Sequence, residues 1–83
     1  MQGPRQHMGD LLKQFVAEEC SPHVRRLLAD AMDERGPSLH RLEFNRFEVT
    51  IKRDEDLVVL QDVLDATELG VERMTLAAFV AAL

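Results

Sequence analysis

The chain contains neither tryptophan nor tyrosine, carries a single cysteine, Cys20, and has no long hydrophobic run. Each shortage removes a class of protein. One cysteine cannot close an internal disulfide, and small secreted domains usually hold several, so a reducing cytoplasm is the expected compartment. Met1 to Met8 lack the apolar core of a signal peptide. The longest nearly apolar run, Leu76 to Leu83, falls far short of the ~20 residues that span a bilayer, so no membrane partner is expected. With only four glycines, no glycine-rich loop joins a strand to a helix, and no phosphate-binding or dinucleotide cofactor is expected.

What remains is ordinary for one small globular domain. Eighty-three residues with 46% hydrophobic and 30% charged content argue against global disorder. A chain of this size buries only ~60–65% of its unfolded surface, so its stability margin is thin and a partner would add to it. The core must be aliphatic, built on Leu, Val, Ala and Met around four Phe. Arginine outnumbers lysine and alanine is common, a bias of the kind GC-rich bacterial genomes produce.

Charge is unevenly spread. From Gly36 to Arg53 the balance is basic, with Arg41, Arg46, Lys52 and Arg53 against Glu43 and Glu48. From Asp54 onward Asp54, Glu55, Asp56, Asp62, Asp65, Glu68 and Glu72 face one cation, Arg73. The net negative charge of the chain, −5, therefore lives almost wholly in the last third, which disfavours nucleic acid and anionic membrane there and suits a basic protein partner.

Residues 1–9, with Gly3, Pro4 and Gly9, read as a flexible arm, and 10–83 as one compact domain. Met8, Leu11, Leu12, Phe15 and Val16 form the stripe of an amphipathic helix from an Asp10 N-cap to about Cys20. Ser21 as N-cap and Pro22 at the first helical position begin a second helix, expected over Pro22 to Arg35 and closed by Gly36 in a left-handed conformation before Pro37. Its expected stripe is Val24, Leu27, Leu28, Ala31 and Met32.

Phe47, Val49 and Ile51 alternate with Glu48, Thr50 and Lys52, the period of a half-buried strand. Leu42 and Phe44 lie on the other parity, which demands a β-bulge or two short strands meeting near Asn45-Arg46. After the tip Arg53-Asp54-Glu55-Asp56, a return strand over Leu57 to Leu64 would pair Ile51 with Val58, Val49 with Leu60 and Phe47 with Asp62. Leu57, Val59 and Val63 then occupy a second apolar face. A helix capped by Asp54 or Asp56 is the competing reading of 57–64, opposed by the stiff side chains of Val58, Val59 and Val63. Ala66 to Arg73 reads as a loop. Thr75 caps a short last helix whose expected buried side is Leu76, Phe79, Val80 and Leu83, with Met74 and Phe79 as a hydrophobic staple. The expected fold is α+β: two N-terminal helices, an antiparallel ribbon of two to three strands, and a C-terminal helix.

No constellation carries catalysis, and the chain reads as a non-enzyme. Cys20, near a helix start and three residues from His23, is the most reactive-looking group, but no acidic or amide orienter sits at a telling distance, so a thiol protein is a remote alternative. His7, His23, His40 and Cys20 lack metal-ligand spacing. Asp65 to Leu76 superficially resembles a calcium loop, yet Leu69 and Leu76 stand where oxygen ligands belong. Two helices followed by a hairpin resemble the outline of a winged helix-turn-helix, but the acidic wing tip would repel phosphate.

The sequence thus points to a small interaction module, an inhibitor, immunity-type antagonist or adaptor, binding a basic protein surface through the ribbon and an acidic edge. The candidate partner-binding residues are Asp54, Glu55, Asp56, Leu57, Val59, Asp62 and Asp65. Self-association as a homodimer through the two-faced strand is the alternative.

Overall fold

The computed structural model describes residues 10–83. The expected arm and the first stripe residue, Met8, lie outside them. The fold is α+β: helices α1 (Asp10–Glu19) and α2 (Pro22–Ala31), a sheet of β1 (Leu39–Glu43), β2 (Phe47–Lys52), β3 (Leu57–Asp62) and β4 (Val71–Met74), then helix α3 (Leu76–Ala82). The sheet is an antiparallel meander in the order β1-β2-β3-β4.

The parity break near Asn45-Arg46 is a hairpin between two strands. Glu43 pairs with Glu48 and Leu42 with Val49, so reversing the chain brings both parities to one face. The return stretch is a strand in the expected register, with Ile51 opposite Val58, Val49 opposite Leu60 and Phe47 opposite Asp62. The helical alternative for 57–64 is thereby excluded. β-Branched valines suit the pleated surface, and the turn into β3 is made by Asp56 at φ 51°, a left-handed conformation that aspartate tolerates better than most residues.

Phe47, Val49, Ile51, Val58 and Leu60 are fully buried on the inner face. Helix α1 lays Phe15 against them, its ring edge-on to Phe44 and Phe47 at 5.5 Å each and stacked on Phe79 of α3 at 6.3 Å. Leu11, Leu28 and Ala31 complete the core. Helices of two or three turns are not stable alone. All three therefore depend on this one face.

Three expectations need correction. Helix α2 ends at Ala31 rather than Arg35 because the following groups have other partners. The Asp33 carboxylate accepts from the Arg35 backbone N–H at 2.9 Å and from its guanidinium at 2.7 Å. The Arg53 guanidinium donates to the carbonyls of Asp33, Glu34, Gly36 and Pro37 at 2.9–3.3 Å. Gly36 closes nothing in a left-handed conformation. Leu27 and Val80, expected in the buried stripes, are 40% and 52% exposed. The segment expected as a loop supplies strand β4, in which Val58 pairs with Met74 and Leu60 with Glu72.

Two capping predictions are realised. The Ser21 hydroxyl accepts from the Val24 N–H and the Thr75 hydroxyl from the Ala78 N–H, at 3.2 and 3.1 Å. Gly70 serves close approach, since an added Cβ would overlap the Asp65 carbonyl oxygen and lie 2.9 Å from the Asp65 Cβ. Because Phe15 joins two helices to the sheet, Phe15→Ala should lower the unfolding free energy by about 3–5 kcal/mol. Urea denaturation followed by circular dichroism reads that loss.

Candidate functional site

The acidic residues of the last third divide by what their carboxylates touch. Glu72 points inward from β4, and its Oε1 accepts from the Leu12 N–H at 3.2 Å, in the first turn of α1. Asp56 Oδ1 accepts from the Leu76 N–H at 3.1 Å, at the start of α3. Both carboxylates thus answer orphan amides at the positive end of a helix dipole. Asp65 folds back on its own loop, accepting from the Thr67 hydroxyl at 2.6 Å and the Thr67 N–H at 2.9 Å, which holds its carboxyl below the usual range.

Asp62 is the most deeply placed. It is 5% exposed on the inner face of β3. Arg46 donates to Asp62 Oδ2 through Nε at 3.0 Å and Nη2 at 2.8 Å. Oδ1 accepts from the Leu64 N–H at 2.9 Å. The same guanidinium reaches Gln14 at 3.0 Å and Glu18 at 3.4 Å on α1 and lies over the Phe47 ring at 5.1 Å. Asp62 is therefore an internal counter-ion to Arg46, with hydrogen bonds accepted on both carboxylate oxygens. Arg46 beside it, reinforced by the Leu64 amide, holds its carboxyl below the ordinary carboxylate value.

Asp54 and Glu55 differ. They are exposed on the 3₁₀ turn Arg53–Glu55, and their carboxylates, like that of Glu68, have no hydrogen bond or ion pair among the described residues. Together with Ser38, Leu39 and Lys52 they line a shallow recess of about 250 Å³ at the tip of the β2–β3 hairpin. Asp62 is the last residue of β3 and Asp65 follows it, at the opposite end of the strand, about 20 Å away at ~3.3 Å per residue. The expected single acidic edge is thus two separate ends of the sheet.

The outer face of the sheet carries the other candidates. Leu57 and Val59 alternate with buried Val58 and Leu60 and are half-buried, as expected for the second face. Val71 stands opposite Gln61 on the same side and Arg73 opposite Val59. The β1–β2 half is polar, where Arg41 pairs with Glu48 at 2.6 Å and Glu43 at 3.8 Å. The β3–β4 half is the apolar one. Helix α3 does not cover it, because Phe79 is buried among the inner-face residues. Sequence patterning located Leu57 and Val59 but missed Leu39 and Val71, whose strands were too short or too polar in pattern to stand out.

Cys20 packs against the core, and burial pushes its thiol up, with Arg25 pulling partly back. A raised thiol is the opposite of what a nucleophile needs. The Arg25 Nε donates to the Cys20 carbonyl at 3.2 Å. Among the described residues no group of three or more acids, histidines or cysteines is placed to hold a metal, and no helix is long and apolar enough to cross a membrane. His7 lies outside them. A larger recess of about 340 Å³ between α1 and α3, lined by Leu12, Lys13, Val16, Ala17 and Ala82, brings together no pair of groups able to do chemistry.

The depressed Asp62 carboxyl fixes a sign. A carboxylate whose folded value is lowered adds stability above its unfolded value, ~3.9, and loses it as pH falls through the folded one. Asp62→Asn should therefore cost stability at pH 7, and the gap from wild type should close as pH drops below about 4. Urea midpoints measured across that range test this.

No protein-family model matches the chain, and comparison with curated proteins and with solved structures brings no significant match.

Proposed function

We propose that this chain is a small non-catalytic interaction module, an inhibitor, antagonist or adaptor in kind, that binds another protein through the outer face of the β2–β3 hairpin and its acidic tip. One observation carries the reading. Asp54 and Glu55 are without an internal partner among the described residues, at the end of the face that displays Leu57 and Val59. Asp56, Asp62 and Asp65, by contrast, serve the fold. A partner with an apolar patch beside lysine or arginine fits this surface, the cation entering the recess between Leu39 and the two carboxylates. Such pairs steer encounter and fix register.

Self-association is the second reading. The return strand β3, expected to pair with a second copy, is hydrogen-bonded on both sides by β2 and β4, so self-association would use β1 or β4, the two edges of the sheet, where unpaired backbone groups are offered to another chain. Sedimentation at micromolar concentration separates the two, since a monomer excludes the dimer.

The test of the first reading uses a partner captured from the native host and then purified. Its affinity should fall as salt rises. Asp54→Asn combined with Glu55→Gln, or Val59→Lys alone, should weaken binding by about tenfold, the loss of one hot-spot contact. The melting temperature of the tip variant should not change. Affinity indifferent to salt and to both substitutions would sink the proposal.

A further inference from the structure

Six large hydrophobic side chains are exposed among the described residues, and three of them fall in one short loop between β3 and β4. They are Val63 at 51%, Leu64 at 78% and Leu69 at 60%. A lone exposed leucine is ordinary on any protein surface. Three within one eight-residue loop, whose stems are closed by the Gln61–Val71 pair, are a local concentration of exposed apolar surface, the kind that marks contact sites.

These side chains do not shape the loop. Its form comes from polar and backbone contacts: Asp62 accepting from the Leu64 N–H, Asp65 N–H donating to the Asp62 carbonyl at 3.0 Å, Asp65 bound to Thr67, and Gly70 N–H donating to the Thr67 carbonyl at 3.0 Å. Gly70 lies so close to Asp65 that any side chain there would collide. The loop is a fixed platform, and the apolar groups it presents add nothing to the core.

The surrounding charge selects what could cover them. No lysine or arginine occurs between Arg53 and Arg73. Asp65 and Glu68 belong to the loop itself. Among the described residues, Arg46 touches the loop, its carbonyl accepting from the Val63 N–H at 2.8 Å, and its guanidinium is already bound to Asp62, Gln14 and Glu18. An anionic membrane or a nucleic acid would be repelled.

We infer that residues 63–70 form a second docking surface, independent of the outer face and the hairpin tip, for a protein segment whose apolar side chains are flanked by lysine or arginine. Leu64 and Leu69 are its anchors, and the unpaired carboxylate of Glu68, beside the loop-bound Asp65, sets its charge preference.

The experiment titrates the intact protein with two dye-labelled synthetic amphipathic peptides, one of leucine and lysine and one of leucine and glutamate, followed by fluorescence anisotropy. The lysine peptide should bind and the glutamate peptide should not. Leu64→Ser combined with Leu69→Ser should weaken binding by at least about tenfold, as loss of hot-spot anchors does, with an unchanged melting temperature. Asp54→Asn with Glu55→Gln should leave binding intact. Absent binding, equal binding of the two peptides, or loss through the tip variant rather than the loop variant would overturn the inference. A concentration-dependent dimer abolished by the loop variant would overturn it in favour of a second copy of the chain.

Discussion

The constraint on which everything rests is that one face of a four-stranded meander must seat three short helices. None of the helices is long enough to persist alone, and Phe15 is where two of them meet the sheet. The inner face therefore has to hold helix termini as well as aliphatic side chains. That requirement accounts for the unusual inward glutamate on β4 and for the aspartate at the hairpin turn. Each places a carboxylate against one backbone amide at the start of a helix far away in sequence.

The negative charge of the last third has two origins for this reason. One set of carboxylates is structural, tied to helix starts, to Arg46 or to the adjoining loop. The other, Asp54, Glu55 and Glu68, has no hydrogen bond or ion pair among the described residues. Summed charge cannot tell these sets apart. A run of acids that looks like one edge is resolved by folding into anchoring groups and two free ends, each beside exposed or half-buried apolar side chains.

How much of this was legible in the sequence follows from the range of the forces involved. Period-2 alternation gave the β2–β3 register residue for residue, because the burial of Phe47, Val49 and Ile51 is a local pattern. The caps at Ser21 and Thr75 were equally readable, since serine and threonine act within one turn. Strand β4 was not, because its inward residue at Leu60 is Glu72, a polar group placed there for a helix sixty residues away. The end of α2 was misread for a similar reason, with Arg53 drawing on the carbonyls that follow the helix. At the candidate site, Leu57 and Val59 were visible from parity alone, whereas the internal role of Asp62 depended on Arg46 across the sheet.

The division of the carboxylates is the centre of the account, and a comparison of two double variants tests it most directly. The unfolding free energies of Glu72→Ala/Asp56→Gly, which remove both acceptors without straining the left-handed backbone at residue 56, and of Asp54→Ala/Glu55→Ala are measured at neutral pH and low salt. The first pair should lose about 1–3 kcal/mol, as removal of helix-terminus acceptors does, and the second should stay within about 0.5 kcal/mol of wild type. Equal losses in the two, or a larger loss at the tip, would contradict it.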